Sequence, residues 1–176
     1  MPTTKATART SPTAQSAHTR ITNIHMKILM KIKESFQGTS VIKLSRLRTQ
    51  GHDRCLACTH PELKLDFTLD DPHTLRTSID FTDSMTSFNG MVHGGLQAFV
   101  IDEAMTCALM GLGIYGATAE LKLRYRRPVE VGPTAHIRVW VERRYRRLSE
   151  LKAELSQKGK ICTTAQARFM QQTLVN

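Results

Sequence analysis

From Leu63 the chain alternates. Leu63, Leu65, Phe67 and Leu69 are apolar, and Lys64, Asp66 and Thr68 between them are polar, the period of two that marks a half-buried strand. A weaker strand candidate covers Leu75 to Phe81. The segment Ser84 to Gly95 carries the turn formers Asn89, Gly90, Gly94 and Gly95. The next stretch is apolar nearly all round: Leu96, Ala98, Phe99, Val100, Ile101, Ala104, Met105, Ala108 and Leu109. This pattern predicts a buried helix that closes near Gly111 or Gly113. Four alternating runs follow, led by Ala119-Leu121-Leu123-Tyr125, Ala135-Ile137-Val139-Val141, Leu151-Ala153-Leu155 and Ile161-Ala165-Ala167-Phe169. Pro128, Gly132-Pro133 and Lys158-Gly159 punctuate them as turns.

Consecutive strands joined by short loops pair antiparallel, and an alternating sheet needs its apolar face covered. The helix is the only apolar element free to do so. The expected fold class is therefore α+β, an antiparallel sheet wrapped around one central helix.

Composition refines this picture. With 176 residues, 40% hydrophobic and 23% charged, the chain has the size and profile of one soluble globular domain. The longest apolar stretch, Met105 to Tyr115, is broken by Thr106, Gly111 and Gly113, well short of the roughly 20 residues that cross a bilayer. The +10 net charge is unevenly placed: residues 1–50 hold nine basic residues and one acid, Glu34, while residues 51–176 hold sixteen basic and fourteen acidic. The basic balance belongs to a Ser-, Thr- and Ala-rich leader, not to the domain, so neither a membrane nor nucleic acid is an expected partner. Three readings of residues 1–50 stay open: a mitochondrial-type targeting peptide, a disordered basic tail, or sequence upstream of a true start at Met26 or Met30. The domain is placed at 51–172, with a cytoplasmic location expected and a mitochondrial one as the alternative. Four cysteines are ordinary usage, and Cys107 and Cys162 read as small buried thiols in a reducing compartment.

Two features carry candidate chemistry. Asp102 and Glu103 interrupt the apolar helix, and a buried carboxylate costs several kcal/mol, on the order of what a lost ion pair does, unless it is paired or used. Either could instead lie on a solvated edge. His93-Gly94-Gly95 stands at the expected helix start, where unpaired backbone N–H groups favour a negative oxygen. Taken alone, it reads more simply as a tight turn with a satisfied histidine.

Taken together, Asn89-Gly90-Met91-Val92-His93-Gly94-Gly95, Asp102 nine residues after His93, Thr118 and Tyr125-Arg126-Arg127-Pro128 resemble the hotdog-fold acyl-CoA thioesterases of the PaaI type, over roughly residues 52–171. The resemblance implies a homodimer, often a dimer of dimers, with coenzyme A thioesters lying along the protomer interface. It implies that Gly94 is the backbone donor polarising the thioester carbonyl and Asp102 the nucleophile or general base. His93 would fix the loop, Thr118 would position the water or the carboxylate, and Asn89 and Gly95 would lie against substrate. Arg124 departs from the neutral polar residue that some relatives carry.

Helix geometry points the same way. His93 and Asp102 are separated by roughly 13 Å along one helix, but a base and an oxyanion donor must converge on one carbonyl. Two antiparallel helices across a two-fold axis can bring them together. Such hydrolysis needs no metal or organic cofactor, coenzyme A being part of the substrate. Arg126 and Arg127 are candidates for its phosphates; Arg143, Arg144, Arg146 and Arg147 read more simply as solvated hairpin charges.

Cys55 and Cys58, flanked by His52 and His60, fall within nine residues with no second Cys pair following, so no metal site is expected from spacing. The leading function is acyl-CoA hydrolysis, with a non-catalytic acyl-CoA-binding module as the alternative. An enoyl-CoA hydratase and a nucleic-acid binder resting on the basic leader are more distant readings.

Overall fold

The computed structural model describes His52, residues 54–63, 65–71 and 73–173; the basic segment 1–50 lies outside them. Its elements are α1 (Leu56–Thr59), β1 (Asp66–Asp71), β2 (Thr74–Ile79), a 3-10 turn (Asp83–Met85), β3 (Thr86–Phe88), β4 (Met91–Val92), α2 (Gly94–Gly111), β5 (Gly116–Tyr125), β6 (Ala135–Tyr145), β7 (Leu148–Gln157) and β8 (Lys160–Gln171). Strands β1-β2-β6-β7-β8-β5 form one antiparallel sheet in that order, and β3 and β4 make a separate hairpin. The predicted α+β arrangement of a sheet around one long helix is what the chain adopts.

Register explains why the helix fits. Leu69 pairs with Leu75, Leu75 with Val139, Val139 with Ala153, Ala153 with Ala165 and Ala165 with Leu123. One apolar row thus crosses the whole sheet, with small alanines in its middle. Short side chains there let α2 lie close to the strands while the larger ones on either side close around it. Against this row α2 buries Val100, Ile101, Ala104, Met105, Ala108 and Leu109.

The opposite sheet face is polar. Lys152 meets Glu142 at 3.1 Å, and Arg168 meets Glu120 at 3.1 Å and Glu150 at 3.5 Å. Such exposed pairs contribute about 0–1 kcal/mol each; they keep this face wet and so define which face is core.

Polar side chains inside the domain tie elements together. Buried Gln97 of α2 accepts from Thr163 Oγ1 of β8 at 2.7 Å and donates to the Val92 carbonyl at 3.2 Å, locking the helix start to sheet and hairpin. The helix ends in a Schellman motif: Gly113 N–H bonds the Met110 carbonyl at 2.8 Å and Ile114 N–H the Leu109 carbonyl at 3.0 Å. Gly113, with φ 74°, supplies the left-handed residue this closure needs.

Three local expectations shift. The first strand begins at Asp66 rather than Leu63, although buried Leu63, Leu65 and Phe67 keep the alternation; extended backbone carries the pattern before ladder pairing starts. The segment read as turns, Ser84 to Gly95, contains the β3–β4 hairpin, whose strands are too short to show a period. α1 is a single turn, below the length at which periodicity is visible. Among the described residues, no helix is long and apolar enough to cross a membrane.

Candidate active site

The β3–β4 hairpin delivers His93 to the start of α2. His93 N–H bonds the Met85 carbonyl at 2.9 Å, and Val92 N–H bonds the Val129 carbonyl at 2.8 Å. His93 is the N-cap: its Nδ1 accepts from Gly95 N–H at 2.9 Å. Accepting at Nδ1 places the proton of the neutral ring on Nε2.

Gly94 is the first residue of α2, and its N–H has no protein acceptor among the described residues. Its carbonyl accepts from Tyr125 Oη at 2.8 Å. A Cβ at Gly94 would lie 3.4 Å from Tyr125 Cζ, so the helix start and the end of β5 are in direct contact. The role of Tyr125 is invisible in the alternation, which accounts for its ring and not for its hydroxyl.

His93-Gly94-Gly95 separates two hollows. On one side, a cleft of about 600 Å³ is lined by His93, Gly95, Leu96 and Phe99 with Leu56, His60, Leu63 and Met85. On the other, a groove of about 330 Å³ holds Gly94, Gln97, Tyr125, Arg126 and Arg127. One is largely apolar and the other cationic, a division that suits a molecule with an oily end and an anionic end. Ser84, Met85 and Thr86, from the turn and strand ahead of His93, also line the cleft. The contribution of the 56–63 segment lay outside the sequence reading.

Asp102 lies eight residues past Gly94 on the same helix, about 12 Å along its axis. It is half-buried, and its Oδ1 accepts from Thr118 Oγ1 of β5 at 2.8 Å. Burial pushes its pKa above the usual carboxylate value; the Thr118 hydrogen bond opposes this and the neighbouring Glu103 charge adds to it. Asp102 and Thr118 belong to neither hollow's lining. The described chain therefore holds the acid–hydroxyl pair and the N–H donor at separate places on one helix.

Of the remaining candidates, Arg126 and Arg127 flank the cationic groove, Arg127 with its guanidinium donating to the Ile161 carbonyl at 2.8 Å. Asn89 sits exposed at the tip of the β3–β4 turn, outside both linings. Arg143 pairs with Glu150, Arg147 donates to the Gln171 carbonyl and Arg146 covers the Tyr145 ring, the structural roles expected of hairpin charges.

The thioesterase superfamily profile matches residues 89–163, the span that contains His93, Gly94, Asp102, Thr118, Tyr125, Arg126 and Arg127. A phenylacetic acid degradation-related protein of Ralstonia eutropha JMP134 is 28% identical over 73% of this chain and 98% of its own, with a TM-score of 0.63. The E. coli PaaI protein of the phenylacetic acid degradation operon is 15% identical over 77% of this chain and 97% of its own, TM-score 0.67. A hypothetical thioesterase protein from Streptococcus pneumoniae TIGR4, solved with coenzyme A, is 13% identical over 64% of this chain and 92% of its own, TM-score 0.60. No curated protein matches the chain significantly. The helix-start motif, the sheet order and the profile agree: residues 89–163 match the thioesterase superfamily, and the chain has the hotdog fold of its PaaI-type structural neighbours.

Proposed function

We propose that the protein hydrolyses acyl-CoA thioesters, with each active site assembled from two copies of the chain. The observation that carries this reading is the half-buried Asp102, held by Thr118 on a helix whose far end offers the Gly94 N–H. A carboxylate kept partly desolvated and hydrogen-bonded at one oxygen, Oδ1, retains Oδ2 for chemistry. About 12 Å of helix separates it from its own chain's Gly94, so the donor comes from the partner's Gly94.

Two features support such a dimer. β5 is the sheet edge, paired among the described residues with β8 alone, and its ten residues form a long open ladder of the kind folded proteins cover. Beside it, Gly95, Ala98, Asp102 and Thr106 of α2 are partly or fully exposed. They follow the spacing of one helix face, and most are small enough for a second helix to approach. The two-fold that pairs β5 with its copy brings these faces together, and a dimer of dimers can follow.

In the resulting site the partner's Gly94 N–H binds the thioester oxygen as it gains charge. Asp102 either takes a proton from water as the water attacks the carbonyl carbon, or attacks directly to form an anhydride that water then opens. Both routes expel coenzyme A as its thiolate, which takes up a proton, and leave the free acid. The cleft beside His93, Leu96 and Phe99 would receive the acyl group, and Arg126 and Arg127 the phosphates. The coenzyme A bound by the S. pneumoniae protein supports this ligand class.

The test is thiol release over a panel of short, medium, long and aromatic acyl-CoAs, comparing the unmodified protein with Asp102→Ala and Asp102→Asn. Turnover falls by at least about 10²-fold while coenzyme A binding persists. In single turnover in ¹⁸O-water, label entering the Asp102 carboxylate identifies the nucleophilic route, with the anhydride opened at its aspartyl carbonyl carbon. Equal acyl-CoA binding with no turnover on any substrate would make the protein a ligand-binding module.

A further inference from the structure

The strongest unassigned cluster lies behind the site, on the inner side of α2. Glu103, only 7% exposed, points into a group of sulfur and nitrogen atoms. Its Oε1 lies 3.2 Å from Cys58 Sγ and 3.7 Å from His52 Nδ1, and its Oε2 lies 3.3 Å from Cys55 Sγ. Cys58 Sγ is 3.6 Å from His52 Nδ1. All four ligand atoms fall within 4.8 Å of one another.

Local backbone explains why three of them converge. Cys55 N–H bonds the His52 carbonyl at 3.2 Å and Cys58 N–H bonds the Cys55 carbonyl at 3.1 Å. Residues three apart in successive tight turns eclipse one another, so His52, Cys55 and Cys58 present their side chains to one side. The fourth group comes from α2. His60, the fourth candidate by sequence, instead accepts from the Glu62 N–H at 3.3 Å.

We propose that His52, Cys55, Cys58 and Glu103 form a structural zinc site. A tetrahedral Zn²⁺ with bonds of roughly 2.0–2.3 Å sets its ligand atoms about 3.3–3.8 Å apart, close to the 3.2–3.7 Å of the contacts above, in a set that spans no more than 4.8 Å. The donor set also suits the ion: two thiolates favour zinc over the hard cations, and imidazole and carboxylate complete four coordination. Thiols are weak donors, so the metal gives this buried carboxylate the charge partner that burial otherwise demands. Binding releases the two thiol protons to solvent. Cys107, whose thiol donates to Glu103 Oε1 at 3.3 Å, orients that ligand.

The consequence is architectural. The ion ties the segment before β1 to the centre of α2, and that segment supplies Leu56, His60 and Leu63 to the cleft wall. Glu103 directly follows Asp102, so the same bond fixes the helix turn that carries the proposed base. The site stands or falls on metal content, independently of thioester hydrolysis.

The test uses the full chain, purified under reducing conditions without chelator. Zinc should be present in stoichiometric amount. The stripped, reduced protein should take up Co²⁺ with thiolate-to-cobalt charge-transfer absorption and the intense visible bands of a tetrahedral ion. Cys55→Ser, Cys58→Ser and Glu103→Gln should each lower Zn²⁺ affinity by about tenfold or more, the scale of losses at such sites, while His60→Ala leaves it unchanged. Failure of the reduced, unmodified chain to take up either ion would overturn the proposal without depending on any variant's folding. So would cobalt spectra lacking thiolate charge transfer, or a Cys55–Cys58 disulfide whose reduction restores no metal binding.

Discussion

Tyr125 Oη donates to the Gly94 carbonyl at 2.8 Å, joining the end of the edge strand to the first residue of the central helix. In the proposed site this bond aims the Gly94 N–H, because the carbonyl and the amide belong to one short, tethered piece of backbone. Tyr125→Phe keeps the ring against Gly94 and removes only the bond. Stability should fall by about 0.5–1.5 kcal/mol and kcat by up to about tenfold, with KM little changed. A fall in Tm with kcat intact would reduce the contact to a structural tether.

Backbone donors are rarely open to mutation, but Gly94 is an exception. It is the first residue of α2, where proline is tolerated because no intrahelical bond uses its N–H. His93, at φ −57° and ψ 130°, already has the extended conformation that a residue before proline requires. Gly94→Pro therefore deletes the donor with the helix preserved, and Gly94→Ala serves as the control that keeps it. Loss of one oxyanion donor corresponds to roughly 10²–10³-fold in kcat, expected for proline and not for alanine. Equal activity in the two variants would remove Gly94 from the mechanism.

Thr118 should act through Asp102. Its hydroxyl occupies Oδ1, which holds the carboxylate in one rotamer and directs the other oxygen outward. Thr118→Ala should lower kcat by about 10–100-fold, the worth of a hydrogen bond to a charged group, and leave KM near its original value. Thr118→Ser, which retains the donor, should recover most of the loss. A serine variant as impaired as the alanine one would assign the effect to packing of the γ-methyl group.

The fold was legible because its logic is repetitive. The period-two runs of β5 to β8 and the all-round apolar stretch of α2 each extend over ten or more residues, long enough for periodicity to override local exceptions. The glycines after Leu109 marked the helix end for a conformational reason that the Schellman closure at Gly113 bears out. What stayed hidden depends on separation. Glu103 meets Cys55 and Cys58 from 48 and 45 residues away, so spacing rules that look for a second nearby Cys pair miss the fourth donor. Asp102 and Glu103 read as one anomaly in the sequence, yet helical rotation sends them to opposite jobs. Asp102 turns to Thr118 at the exposed edge, and Glu103 turns inward to the thiols. The Tyr125 hydroxyl was likewise beyond reach, because its partner is a backbone atom 31 residues earlier.

The cationic groove makes the last prediction, which separates binding from chemistry. Arg126 is exposed there, and the Arg127 guanidinium is partly committed to the Ile161 carbonyl, so Arg126 is the freer of the two to meet a phosphate. A phosphate contact remote from the reacting carbonyl is made equally in ground and transition states, and its loss raises KM with kcat unchanged. Arg126→Ala should raise KM for acyl-CoA by about tenfold, corresponding to a charge-assisted hydrogen bond of ~1.5 kcal/mol. Rising salt should shrink the difference between variant and parent, since an exposed pair is screened. The discriminating substrate is the same acyl group carried on N-acetylcysteamine, which has the thioester and lacks every phosphate. On that substrate Arg126→Ala and the unmodified protein should be indistinguishable. An equal loss on both substrates would place Arg126 against the acyl end or in the support of the Tyr125–Gly94 contact, and the phosphates would then have to be held elsewhere.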